Sequence, residues 1–240
     1  MRLTNLKKTN FKVLSITLLI TLILAAAMPH IIAGSQSWLL EYAVERGDLH
    51  TASFLIKNGT NPNMPNDGFA PLAQSLQHRH TNMSYMLISN GADINAVGPF
   101  GITPLMCADL DNPSLVSYLV QRGANVSARN DQGRTPLIIA AADLHCAAAQ
   151  ILLENGANPN AQDKDGQSAL MEAITSNSLP SETKQKYLTV VTLLKKGADV
   201  RLKNAQGQDA LSLLKRLNNT QQNQLILFAV EQRIKAVTKR

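Results

Sequence analysis

At 240 residues and 45% hydrophobic, the chain is long enough and apolar enough to bury a sizeable core. Its 4% aromatic content is low, which argues against large sheets and sandwiches and for small stacked helices built from Ala and Leu. The formal charge of +6 overstates the basicity of the body. Arg2, Lys7, Lys8 and Lys12 face no acid within residues 1–34, and the remainder carries 19 Lys+Arg against 17 Asp+Glu, without the basic stripe that a phosphate backbone requires. Nucleic acid is therefore not an expected partner.

Residues 1–34 are expected to direct export. A basic stretch, Met1–Lys12, precedes an uncharged apolar run, Val13–Met28, then Pro29, His30 and Ile31-Ile32-Ala33-Gly34, the layout of a secretory signal peptide. Small residues favour cleavage after Ala27 or near Ala33-Gly34. The alternative is an uncleaved signal anchor: Val13–Ala33 is 21 residues, matching the ~20 needed to span a bilayer, with the positive flank left in the cytoplasm. Either route places the rest outside the cytoplasm, in the periplasm if the source is bacterial, soluble or tethered to the inner membrane by residues 13–33.

Residues 29–36 read as a linker. Ser37–Asn58 reads as a helix pair with Leu40, Ala43, Phe54 and Leu55 at core positions, and with the single Trp, Trp38, covering the end of the core. Repeats follow at about 65–95, 98–127, 130–160 and 163–200. The clearest is Asn130–Ala161: Asp131-Gln132-Gly133 is turn chemistry, Thr135 stands where an N-cap belongs, and Pro136 stands at the first helical position. Two short helices follow, Leu137–Ala142 and Cys146–Glu154, the second ended by Gly156. Neither is long enough to be stable alone. The 163–200 repeat carries about eight extra polar residues within Ser176–Lys186, including Pro180, which read as an exposed loop. Gln208–Leu217 and Gln221–Val237 form a terminal pair, for which a polar outer face is expected.

Two independent markers establish the period. Glycines after the second helices, Gly59, Gly91, Gly123, Gly156 and Gly197, are spaced 32, 32, 33 and 41 apart. Turn glycines Gly68, Gly101, Gly133, Gly166 and Gly207 are spaced 33, 32, 33 and 41 apart, so both ladders share the same anomaly. The first helices open on Ala70-Pro71-Leu72, Thr103-Pro104-Leu105, Thr135-Pro136-Leu137, Ser168-Ala169-Leu170 and Asp209-Ala210-Leu211. The second helices close on LIKNGTNPN, LISNGADIN, LVQRGANVS, LLENGANPN and LLKKGADVR.

These motifs resemble the ankyrin-repeat family, with its D-x-x-G turn, T-P-L-H-x-A, L-L pair and G-A-D/N-x-N, over roughly residues 37–217. The resemblance implies an all-α solenoid with short turn tips. About five to six helix pairs are expected, near 37–58, 69–90, 102–122, 134–155, 167–196 and 208–238, in an array spanning 35–240 with an inserted loop at 176–186. Three departures stand out. The family's His is replaced by Ala73, Met106, Ile138, Met171 and Ser212, which implies a looser array. Gly98-Pro99-Phe100-Gly101 lacks the turn Asp, and Ala70 lacks the Thr hydroxyl.

Signs of catalysis are sparse. The chain has no HExxH, Cys-x-x-Cys, G-x-S-x-G, Walker A or G-x-G-x-x-G motif. His78-Arg79-His80 reads as a solvated helix end, because histidines two apart do not share a helix face. Asp109 and Asp111 read as a helix end without a partner. Cys107 and Cys146 occupy different places in different repeats and read as small apolar residues, not a disulfide. No cofactor or metal is expected. What the architecture offers is surface. The tip residues Asn66, Asp67, Phe69, Pro99, Phe100, Ile102, Asp131, Gln132, Arg134, Lys164, Asp165 and Gln167, with Ala205, Gln206 and Gln208, are free to contact a partner, and Phe69, Phe100 and Ile102 form the candidate anchor patch. The expected function is a monomeric, non-catalytic module that binds another protein through its concave face, of the inhibitor or immunity type that exported prokaryotic arrays resemble. The alternatives are a membrane-anchored envelope scaffold and an enzyme with an unrecognised site, which loss of activity on mutating Asp109 or His145 would favour.

Overall fold

The computed structural model describes residues 29–64, 68–176, 183–217 and 221–238. Residues 1–28 of the expected signal or anchor segment, Pro65–Asp67 and Pro180 lie outside them. Six helix pairs succeed one another: α1 Pro29–Glu45 and α2 Leu49–Lys57; α3 Pro71–Gln77 and α4 Thr81–Ser89; α5 Pro104–Cys107 and α6 Pro113–Gln121; α7 Pro136–Ala142 and α8 Cys146–Glu154; α9 Ala169–Thr175 and α10 Thr183–Lys195; α11 Ala210–Arg216 and α12 Gln221–Thr238. Among the described residues there is no strand, only an isolated bridge between Gln162 and Ser168. The fold is an all-α solenoid.

Eight of these twelve helices run only seven to nine residues, because the sequence starts and stops them at short intervals. Pro71, Pro104, Pro113 and Pro136 open four of them at a position where the missing N–H costs nothing. Side-chain caps hold several N-termini: Ile138 N donates to Thr135 Oγ1 at 3.3 Å, Met171 N to Ser168 Oγ at 3.3 Å, and Ser212 N to Asp209 Oδ1 at 2.8 Å. Helices of this length are marginal in water, so burial between neighbours must hold them. Equivalent leucines supply it in two columns: Leu72, Leu105, Leu137 and Leu170 on the first helices, and Leu87, Leu119, Leu152 and Leu193 on the second, all fully buried. Each contributes ~1.5–3 kcal/mol relative to exposure. The positions where His was expected are filled instead by buried Ala73, Met106, Ile138 and Met171.

Polar clamps fix the spacing between repeats along two edges. At the second-helix edge, Asn63 Nδ2 donates to Gly91 O (2.9 Å) while Asn63 Oδ1 accepts from Asp93 N (2.6 Å). Asn95 repeats this with Gly123 O and Asn125 N, and Asn160 with Gly197 O and Asp199 N. Ser127 holds the same position between the third and fourth repeats, but its side chain is too short to reach both groups, and neither contact forms. At the tip edge the turns stack through backbone hydrogen bonds: Asp131 N to Phe100 O (2.8 Å), Lys164 N to Gln132 O (2.9 Å) and Ala205 N to Asp165 O (2.9 Å). Asn130, Asp163 and Asn204 brace their own turns, each carboxyl or amide oxygen accepting two backbone N–H groups.

Several expectations are corrected. The segment read as a linker, 29–36, is helical, since α1 begins at Pro29. Trp38 does not cover the core; it is 58% exposed and stacks on Tyr42 with ring centroids 5.7 Å apart. Phe54 is also exposed, whereas Leu40, Ala43 and Leu55 are buried. The inserted segment does not stay a loop to Lys186. α10 begins at Thr183, and Lys186 is buried with its ammonium donating to Ser176 O at 3.0 Å. The last helix exposes Leu225 and Phe228 among the polar residues Gln224, Gln232 and Lys235, so the polar face expected is interrupted by apolar residues.

Two outcomes test the clamps. Gly133 has φ +77°, and a Cβ there would stand 3.1 Å from Lys164 N. Gly133→Val is expected to destabilise the array by about 2 kcal/mol, read by urea unfolding, and an unchanged midpoint would refute the tip stacking. Ser127→Asn is expected to restore the missing clamp and stabilise by about 1 kcal/mol, a Tm rise of roughly 2–4 °C by calorimetry.

Candidate functional site

The tips alternate between residues spent on stacking and residues left to solvent. Asp131, Lys164 and Asp165 are exposed, but the backbone of each is committed to the neighbouring turn. Phe69 and Phe100, expected to act together, part company. Phe69 is half-buried against the next turn: a Cβ at Gly98 would lie 2.7 Å from its ring. Pro99 packs back in the same way, its ring 2.8 Å from where a Gly68 Cβ would stand. Ile102 is half-buried. Phe100 is 74% exposed and takes φ +58°, a left-handed conformation that costs a bulky L-residue. Asn66 and Asp67 lie outside the described residues.

Arg134 is not free at the surface. Its Nη2 lies 3.6 Å from Glu172 Oε2 of the next repeat, both side chains are mostly covered, and Arg134 Nε has no partner. Burial pushes the Glu172 carboxyl above its ordinary 4.5, Arg134 draws it down, and Asp163, Asp143 and Asp165 push it up again; the net direction is up. Gln167 is half-buried, with its Oε1 covered and unpaired.

The acids thought unpartnered have partners. Asp109 faces Arg79 at 3.8 Å, and Asp111 Oδ1 lies 2.8 Å from His145 Nδ1. Sequence distance hid both pairs, because each joins different repeats. Asp109, His145 and Cys107 line one cavity of about 330 Å³. Burial pushes the Cys107 thiol up to about 11, against a hydrogen bond with Gln77 that lowers it, so the sulfur is protonated at neutral pH, the opposite of an activated nucleophile. Both cysteines are free thiols. His80 is a helix N-cap whose Nε2 lies 3.0 Å from Glu45 O, which ties the first two repeats together. Among the described residues no cluster of three or more His, Cys, Asp or Glu is placed to hold a metal, and no helix is long and apolar enough to cross a membrane.

Side-by-side turns, paired short helices and leucine columns in register define one architecture, and the family model for ankyrin repeats (3 copies) matches residues 87–163 and 105–204. Residues 87–204 carry ankyrin repeats. The crystal structure of an ankyrin repeat domain from Acinetobacter baumannii superposes with a TM-score of 0.71 at 24% identity, covering 81% of this chain and 96% of that one, which supports the fold. Ankyrin repeats generally mediate protein–protein binding and are typically non-catalytic.

Sequence reading missed Glu172 and the surface around Trp38, Glu41 and Tyr42. Glu172 looked like an ordinary helix residue, and only the cross-repeat partner distinguishes it. Because its folded pKa is raised, native Glu172 binds a proton more tightly than the unfolded chain. Its contribution to stability is full below 4.5 and is lost as pH rises through the folded value. Arg134→Gln is expected to move the Glu172 carboxyl midpoint further up in a carbon-13 NMR titration and to widen the pH window over which stability declines. A midpoint that stays put or falls would show that the ion pair has no electrostatic weight.

Proposed function

We propose that this ankyrin array is an exported, non-catalytic module that recognises one partner protein through its concave face, in the manner of an inhibitor or immunity protein. The basic, apolar N-terminal run supports export, to the periplasm if the source is bacterial. Asp131, Lys164 and Asp165, exposed at the tips, supply polar contacts, and the sequence adds Asn66 and Asp67 as candidates. The observation that carries the reading is Phe100: a large aromatic, 74% exposed, kept in a left-handed backbone conformation that glycine would occupy without strain. Packing does not account for it, and aromatic anchors dominate binding hot spots. A membrane-anchored envelope scaffold is the second reading, favoured by α1 beginning at Pro29, directly after the apolar run.

Phe100→Gly separates fold from function. Relief of the strained φ is expected to stabilise the array by about 1 kcal/mol, seen as a higher Tm in calorimetry. The same change is expected to weaken binding of the partner, recovered by cross-linking in the native envelope, by at least about tenfold, or ~1.4 kcal/mol. Unchanged affinity by biolayer interferometry would sink the concave-face reading.

A further inference from the structure

The first repeat holds a second surface that the tips do not explain. Trp38 and Tyr42, one turn apart on α1, stand exposed beside a cavity of about 370 Å³ that they line together with Phe69, Glu41, Glu45 and Gln74. Aromatic faces therefore meet two carboxylates in one concavity. Neither carboxylate has a cationic partner among the described residues. Glu41 Oε1 accepts only from Gln74 Nε2, at 2.7 Å, and Glu45 is exposed with no ion pair. Gln74 Oε1 is covered and unpaired, adding a further acceptor without a donor. His78 is the one basic group on the rim. Elsewhere three acids are matched from neighbouring repeats, Asp109 by Arg79, Asp111 by His145 and Glu172 by Arg134; Glu41 and Glu45 are not.

We propose that the cavity between α1 and α3 is a docking site for an arginine side chain on a basic segment of the partner protein. Three features select that chemistry. Carboxylate acceptors call for a donor-rich cation, and paired N–H donors on a planar group satisfy Glu41 and Glu45 better than a point charge does. Aromatic walls attract a cation over their faces. The protein already uses the same contact internally: Arg46 lies over the Tyr42 ring at 4.7 Å and Arg122 over the Tyr118 ring at 4.8 Å. Arg46 lies outside the cavity and covers one side of Tyr42, which leaves Trp38 and Phe69 as the walls for an incoming guanidinium. The proposal rests on the reading that the array binds a protein, and it specifies the chemistry of one contact.

Trp38 is the only tryptophan, so its emission reports on this site alone. The full chain is titrated with N-acetyl-Gly-Arg-Gly-amide and with the same peptide carrying citrulline, which keeps the shape of arginine and removes its charge. A saturable change in Trp38 emission is expected with arginine, and binding is expected to be about tenfold weaker with citrulline and in Glu41→Gln/Glu45→Gln. Far-UV circular dichroism checks the fold of the double variant, and Glu45→Gln alone, at an exposed position, provides the fallback. No saturable change, equal binding of the citrulline peptide, or undiminished binding in the glutamine variants would each overturn the proposal. So would an emission shift on phosphatidylglycerol vesicles with none on the peptide, which would assign the face to a membrane. None of these readouts involves Phe100 or the native partner, so failure here and failure of the concave-face reading are separate results.

Discussion

Everything in this molecule depends on keeping neighbouring repeats at one fixed spacing. Helices of seven to nine residues contribute little by themselves, and the leucine columns bury their side chains only if each pair sits against the next. The spacing is held at both edges by groups that bridge repeats: Asn63, Asn95 and Asn160 at one edge, and backbone bonds between turns at the other. In such an array stability is a sum over interfaces, so the weakest interface matters more than the average. Here the weak points converge on the third repeat. It opens on Gly98, which has no side chain to brace its turn, contains the four-residue helix α5, and ends on Ser127, which forms no clamp to the fourth. Phe100 projects from this repeat. The proposed anchor is thus mounted where the array is least tied, a position from which a tip can adjust to a partner at the smallest cost in packing.

Electrostatics follow the same logic. Three acids draw their counterpart from a neighbouring repeat. Among the described residues, no repeat stands before the first to contribute such a partner. Its carboxylates, Glu41 and Glu45, are left with acceptor capacity unspent, beside aromatic rings that no following helix covers. Position at the end of the array, not residue type, makes this surface different from its equivalents further along.

The repeat architecture was legible because it is encoded locally and many times over. A glycine that must take positive φ and a leucine near the start of the first helix recur in five copies, and a proline at the first helical position in three of them; each is a short-range requirement. What escaped the sequence depends on geometry between copies. Arg134 looked like a free tip residue, yet Glu172 of the next repeat takes its charge. Asp109 and Asp111 looked isolated because their partners lie thirty or more residues away. Trp38 was read as a cover for the core because it stands at the edge of the array, whereas on α1 it is exposed and stacks on Tyr42. Lys186 was read as part of a polar loop, yet the carbonyl of Ser176 and a helix starting at Thr183 bury it.

The turn Gly98-Pro99-Phe100-Gly101 shows how a departure from the repeat pattern becomes intelligible only in pairs. By itself the missing turn Asp looks like decay. In the stack, the neighbouring turn carries Phe69, whose ring lies so close to Gly98 that any side chain at this position would collide with it. Pro99 in turn fills the space above Gly68, where a Cβ would meet it at 2.8 Å. Phe69 and Gly98, Gly68 and Pro99 are therefore two complementary contacts between adjacent tips, and each bulky residue is answered by a glycine. Apolar packing here replaces the hydrogen-bonded brace that Asn130, Asp163 and Asn204 give the later turns. Phe69 is drawn inward by this exchange and Phe100 is left outward, so the substitution that weakens the turn is also the one that presents the anchor.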